Sequence, residues 1–437
     1  MSTEAITHFG RTFNIDTSLT EYEYKEIFTT TNDLNTATEI RFDIINENAF
    51  TVPSDSYLLV EGQVQLANGN VIPNAADDTS KIALVKEGIL YLFRQLIYSI
   101  NDKQVEIIDY PGVAQNMLSY LLEDNSYDKT ISLIHSGVKD NHIDADQGNN
   151  TAGFNQRRAF LQTSDPRGTF AFQLPLRRLF GFFRDYNKVI FGTTQRLTIN
   201  AKGNSDDAIF RHNGAGACRV NLTKMRWVVP HIVGTDEINL ALMNHIKGKN
   251  PIDMVFRGIT ISRLEVPADT TFTWRLASKQ SPEVPRYVII GFQTDKESNQ
   301  EENPALFDHV NLTNLHVQLN EKHYPNVEYM ANFTAQQYAR VYTDAMNFKG
   351  KFFNVESTER EITSSPGMNM IEYKTLFPLF VIDTSKQREM VKHSLAELTI
   401  HARFSANIPP NTRCFAMTVS DRFLKLESDG NRLVLVQ

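Results

Sequence analysis

The chain has 437 residues, of which 41% are apolar, 22% charged and 10% aromatic, and its formal net charge is −7. With 28 Phe and 15 Tyr it carries ample side chain to bury, which excludes intrinsic disorder. The two cysteines, Cys218 and Cys414, are too few for a disulfide scaffold or a thiolate zinc cluster. Length alone is compatible with about three ordinary domains or two large β-sandwiches.

Residues 1–40 hold seven acids (Glu4, Asp16, Glu21, Glu23, Glu26, Asp33, Glu39) against Arg11 and Lys25. Such a segment repels phosphate, so specific nucleic-acid binding is not expected of it. The opening MSTEAITHFG has no basic or apolar signal region, and synthesis in the cytosol is expected. The most apolar stretches, 89–100 and 376–382, fall short of the ~20 residues that cross a bilayer, so no transmembrane segment is expected.

Period-two alternation then dominates, and it predicts half-buried strands. At 57–66, Leu58, Val60, Val64 and Leu66 share one face. Phe170, Phe172 and Leu174 form a second stripe, Phe272, Trp274 and Leu276 a third, and Leu398, Ile400, Ala402 and Phe404 a fourth. Tyr287–Phe292 is apolar throughout, the pattern of a strand covered on both faces. Three helices are expected. One is 111–122, opening on Pro111; the second is 236–247, with Thr235 as N-cap and Gly248 after it; the third is 334–346. Polar stretches at 139–156 and 202–217 read as surface elaboration.

The chain also repeats itself. Ile100-Asn101-Asp102-Lys103 has a counterpart in Leu319-Asn320-Glu321-Lys322. Gln173-Leu174-Pro175-Leu176 matches Leu376-Phe377-Pro378-Leu379, Leu197-Thr198-Ile199 matches Leu398-Thr399-Ile400, and Cys218 matches Cys414. Four matches in one order, about 200 residues apart, predict two similar β domains. The expected division is an N-terminal arm (1–40), a first domain (41–232), a helical linker (233–250) and a second domain (251–437).

Candidate chemistry is sparse. His309, His316 and His323 are seven apart, which in one extended segment puts them on alternate faces, unable to converge on an ion. His393 and His401 flank an expected turn. Asp140, Asp144 and Asp146 lack the glycine and glutamate spacing of a calcium loop. Asp77-Asp78 and Asp206-Asp207 read as solvated turns, Arg157-Arg158 and Arg177-Arg178 as surface pairs, and Gly214-Ala215-Gly216 lacks a phosphate-loop pattern. Sequons at Asn149, Asn221, Asn311 and Asn332 read as chance matches. Trp227 and Trp274 sit in strand patterns and are expected in the core. No catalytic, cofactor-binding or metal-ligating residue is therefore assigned, and an enzyme is not expected.

Three segments carry a family resemblance. They are Phe172-Gln173-Leu174-Pro175-Leu176 with Leu179-Phe180-Gly181-Phe182-Phe183; Pro285–Gln293; and Phe307–Asn311 leading to Val317–Asn320 and Tyr324-Pro325. The chain resembles the double jelly-roll major capsid proteins of double-stranded DNA viruses, within the group of Polinton (Maverick) elements, adintoviruses and virophages. The resemblance implies an all-β fold of two tandem eight-stranded jelly-roll sandwiches with a few short helices in the loops. It also implies a homotrimer with a pseudo-hexagonal outline, contacts with neighbouring capsomers and with penton and minor capsid proteins, and residence in the virion. Loops 67–80, 139–156 and 202–217 would be capsid-surface towers or inter-capsomer contacts. The competing readings are a secreted two-sandwich glycan-processing enzyme and a carbohydrate- or receptor-binding module.

Overall fold

The computed structural model describes residues 19–45, 50–74, 80–143, 152–212, 214–248, 251–276, 284–319, 322–354, 367–386, 397–428 and 433–436. Alternation of apolar and polar residues makes strands wherever it was expected. The first half contributes β1 (Leu19–Phe28), β2 (Glu39–Ile44), β3 (Phe50–Thr51), β4 (Tyr57–Leu66), β5 (Ile82–Leu84), β6 (Phe93–Ile100), β7 (Lys103–Asp109), β8 (Thr169–Pro175), β9 (Gln195–Ala201), β10 (Ile209–Arg211) and β11 (Cys218–Gly234). The second half contributes β12 (Ile252–Glu265), β13 (Thr271–Leu276), β14 (Val284–Thr294), β15 (Leu312–Leu319), β16 (Lys322–Tyr324), β17 (Phe380–Asp383), β18 (Leu398–Phe404), β19 (Thr412–Ser428) and β20 (Leu433–Val436).

Helices occupy the connections: α1 (Pro111–Leu122), α2 (Asn125–Thr130), α3 (Ala152–Gln162), α4 (Leu176–Leu179), α5 (Gly181–Asp185), α6 (Asp236–Lys247), α7 (Ala339–Met346), α8 (Phe348–Phe352) and α9 (Met370–Leu376). The helices expected at 111–122 and 236–247 form over those residues. The one expected at 334–346 starts only at Ala339, because Asn332 and Gln337 pair as a β-bridge first. Helix α3 was not foreseen; it rises from residues that read as loop.

Sheet topology repeats between the two halves. In the first half the strands run β1-β11-β4-β8 in one sheet and β2-β9-β6-β7 in the other. In the second half they run β12-β19-β14-β17 and β13-β18-β15-β16, so each position of one half has a counterpart in the other. All these pairings are antiparallel. The β6–β7 and β15–β16 pairs fall at the matched ends Ile100 and Leu319, and Cys218 and Cys414 lie at the beginnings of the long strands β11 and β19. One match fails. Pro175 ends β8 whereas Pro378 precedes β17, so that likeness is accidental.

Facing sheets bury their inner stripes together. Tyr98 of β6 meets Trp227 of β11 edge-on at 6.4 Å, and Phe292 of β14 meets Phe404 of β18 at 5.6 Å. Strand β14 is buried on both faces from Tyr287 to Phe292, as its unbroken apolar run predicted. Trp227 is wholly buried, but Trp274 is only half-buried, since β13 is an edge strand of its sheet among the described residues. Residues 19–28, expected in an arm, instead pair along β11 from Leu19↔Gly234 to Phe28↔Arg226.

Candidate assembly interface

The most elaborate chemistry in the molecule lies where the two sandwiches meet. Strand β7 of the first half and helix α5 approach the outer edge of β12. Among the described residues that edge has no strand partner, so its outward N–H groups need acceptors from elsewhere. Glu106 of β7, fully buried, supplies one: its Oε1 accepts from Ile259 N at 2.9 Å and its Oε2 from Phe182 N at 2.9 Å. Burial raises the Glu106 pKa, against the pull of Arg422 and of the backbone N–H groups that favour the ionised form.

Asp185, at the end of α5, supplies the second cap. Its Oδ2 accepts from Arg257 N and Nε at 2.8 Å each, and its Oδ1 from Arg257 Nη2 at 2.6 Å. This fork of charge-assisted bonds holds the Asp185 carboxyl below the usual range in spite of burial. The Arg257 guanidinium lies 4.0 Å from the Phe352 ring centroid and also donates to Phe352 O. Phe182 packs edge-on against Phe256 at 5.2 Å. Gly181 is required here, because a Cβ on it would come 1.8 Å from Arg257 O.

The seam continues beyond β12. Tyr91 OH donates to Pro304 O at 2.7 Å, and Tyr120 stacks on Phe377 at 3.9 Å. Gln300 Nε2 donates to Cys218 O at 2.7 Å, while Gln300 Oε1 accepts from Cys218 N at 3.0 Å. As a result the apolar core runs without a break through both halves. One cavity of about 190 Å³ remains in the seam, walled by Tyr91, Tyr110 and Phe415, with Arg263 beside Glu297 at its rim.

Several residues that read as solvated prove to be structural. Asp207 is buried; it accepts from Ser298 N at 2.6 Å and pairs with Lys202, and Asp206 accepts from Gln300 Nε2 at 2.8 Å. Residues 206–211 thus belong to the seam, not to a surface loop, and β10 pairs there with β5. Arg157 is buried, donating to Leu84 O at 2.7 Å and pairing with Asp140 at 2.7 Å; Asp140 also accepts from Asn303 Nδ2 at 2.8 Å. Arg158 is buried as well and donates to Gln162 Oε1 at 2.6 Å. Arg178 bridges Glu87 at 2.6 Å and Glu123 at 2.5 Å, beside the fully buried Lys86. Burial works to raise the Glu123 pKa, but Arg178 and Lys86 prevail and hold it low. Of the expected surface pairs only Arg177 is exposed. Asp77, Asp78, Asp144, Asp146, Asn149 and His393 lie outside the described residues, while Gly214, Ala215 and Gly216 lead into β11.

The histidines correct a second expectation. His316 and His323 do converge, with ring centroids 5.0 Å apart, because the chain reverses between β15 and β16. His401 joins them from β18, stacked on His316 at 4.8 Å and hydrogen-bonded through Nδ1 to Thr273 Oγ1 at 3.1 Å. Only His309 stays apart, stacked on Phe333 at 4.6 Å. Desolvation, then the neighbouring imidazoles, lower the pKa of His316, and desolvation and His323 lower that of His401. Among the described residues no group of three His, Cys, Asp or Glu side chains is arranged to hold a metal ion.

Two sandwiches with the same strand order, fused edge to edge, define a double jelly roll. The chain belongs to the family described as double jelly roll-like domain, whose model matches residues 82–424. The fold is shared with viral capsid proteins. A cryo-EM structure of the Sputnik virophage superposes with a TM-score of 0.63 at 10% identity, over 100% of this chain and 92% of that one. The mavirus major capsid protein gives 0.56 at 11% identity, over 100% and 93%. The PBCV-1 virus capsid gives 0.57 at 10% identity, over 98% and 99%. No curated protein sequence matches the chain.

Proposed function

We propose that the protein is a major capsid protein of the Polinton, adintovirus and virophage group, a structural subunit that trimerises and tiles an icosahedral shell. The observation that supports this most directly is the seam. It joins two equivalent sandwiches rigidly side by side, and three such pairs arranged around an axis give six similar walls. We divide the chain at α6, with one jelly roll on each side of that helix. The role we assign is mechanical, because the buried acids of the seam are all tied to backbone N–H groups or cations. Glu106, Asp185 and Asp207 are committed in this way. An enzyme of two sandwiches would need convergent, unpaired carboxylates at this junction.

Size-exclusion chromatography with light scattering tests the reading. Three chains of 49.8 kDa give a particle of about 150 kDa, and concentrated protein gives hexagonal arrays by electron microscopy. A monomer that persists across salt and pH overturns it.

A further inference from the structure

The cavity of about 190 Å³ in the seam is built from both sandwiches: Tyr91, Phe93, Tyr110 and Val113 come from the first, Pro304 and Phe415 from the second. Its rings are fixed by contacts of their own. Tyr91 OH donates to Pro304 O at 2.7 Å and accepts from Asn116 Nδ2 at 3.0 Å. Gly112 lies so close to the Tyr91 ring that a Cβ there would come 2.6 Å from it. Phe415 meets Tyr110 edge-on at 6.0 Å, and the Arg263 guanidinium stands 5.3 Å from the Tyr110 ring centroid. The backbone is irregular at the same spot. Tyr110 has φ 47° and ψ 55°, a left-handed conformation that costs a bulky residue energy and that gathers at ligand sites. Its N–H donates at 2.9 Å to the carbonyl of Arg94, which the register shift between Phe93 and Gln95 leaves out of the β6–β9 ladder. A bulge of this kind re-aims a side chain.

Charge around the cavity calls for an anion. Arg94, Lys202, Arg263, Lys296 and Arg413 border it, against Asp207 and Glu297. Lys202 pairs with Asp207, while Arg263 and Arg413 share Glu297. Two carboxylates from outside the cavity join them, Glu265 at 3.5 Å from Arg413 and Asp308 at 2.8 Å from Lys296. Four of the cations are answered in this way. The side chain of Arg94 is exposed and has no ion pair or hydrogen bond among the described residues. We propose that the cavity binds a small aromatic anion, its ring among Tyr91, Tyr110 and Phe415 and its carboxylate or phosphate on Arg94. Size agrees, because an apolar cavity of roughly 150 Å³ takes up benzene, and this one leaves space for a head group as well. Since both sandwiches form the walls, the ligand binds only the closed seam and stabilises it.

Titration calorimetry and thermal melting of the full-length protein test the site. The probes are phenyl phosphate and benzoate, with inorganic phosphate and benzyl alcohol as the separate head and ring. At least one of the two aromatic anions should bind once per chain and raise the melting temperature. Each separate part should bind at least about tenfold more weakly. Arg94→Gln should weaken the anion about tenfold, the scale of one charge-assisted hydrogen bond, and leave benzyl alcohol unchanged. Val113→Phe should fill the cavity and abolish binding of both. If that variant misfolds, Arg94→Gln, at an exposed position, supplies the measurement. The inference is overturned if neither aromatic anion binds saturably, if inorganic phosphate binds as tightly, or if Arg94→Gln leaves the affinity unchanged. Those outcomes leave the capsid reading intact, since that reading predicts particle mass and arrays and not a ligand.

Discussion

Strands β1 and β12 are topological twins with opposite surroundings. Met254, Phe256, Gly258, Ile259 and Ile261 of β12 are buried, and the backbone N–H groups of Arg257 and Ile259 are capped by carboxylates. Almost every residue of β1 is exposed. The difference arises not from strand propensity, since both alternate and both pair with a long partner. It arises from which strand has the other sandwich beside it. An edge strand is a surface awaiting a neighbour, and among the described residues the other sandwich stands beside β12 and not beside β1.

The contrast can be broken in graded steps. Phe256→Ala should have the largest effect, about 3–5 kcal/mol, because it removes a buried ring that meets Phe182 across the seam. Denaturant unfolding monitored on the dilute protein measures it. Glu106→Ala removes one of the two carboxylate caps on the β12 edge and leaves Asp185 in place. It orphans two buried N–H groups, with a loss of roughly 2–5 kcal/mol. Calorimetry should then resolve two transitions as the halves uncouple, and one unshifted transition would show that Glu106 does not hold the seam. Gly181→Ala should cost about 1–3 kcal/mol, since the new methyl must push Arg257 O away.

The histidine cluster offers a milder handle on the exposed end. The folded-state pKa values of His316 and His401 lie below that of a free imidazole, so folding favours the neutral rings. Their stabilising contribution is therefore complete above about pH 6.5 and lost as pH falls through the lowered values. Both rings are largely solvent-screened, so the expected loss is under about 1 kcal/mol. Glu328 opposes it by favouring the charged His316, whereas Arg403 reinforces it. Hydrogen exchange of the β15–β16 hairpin at pH 7.5 and 5 should show the change, and His316→Gln with His401→Gln should flatten it. Smallest of all, Phe28→Ala should change monomer stability by less than about 1 kcal/mol, the scale of its contact with Arg226. A large loss there would mean that β1 is already covered.

Much of the fold was legible in the chain. The stripes at 57–66, 170–174, 271–276 and 398–404 became strands, and the matches that begin at Ile100 and Leu319 marked equivalent strand pairs. Less legible were the charged side chains. Arg157, Arg178, Asp207 and Glu106 resemble surface residues because compensating partners lie 17 to 91 residues away, or in the other half of the chain. The one local signal of the seam was the aromatic run Leu179–Phe183, which α5 presses onto β12. His316 and His323 were misread for a related reason: spacing along one strand says nothing once the chain reverses.

The sequence by itself determined the strands and their repeated order, because side-chain period and turn residues act over a few positions. The double jelly-roll class was legible only through the resemblance of three segments to a known family. The tertiary structure alone decided which carboxylates cap backbone, which arginines are buried and which edge stays bare. Those outcomes depend on desolvation and pairing between residues far apart in the chain, and no local pattern encodes them.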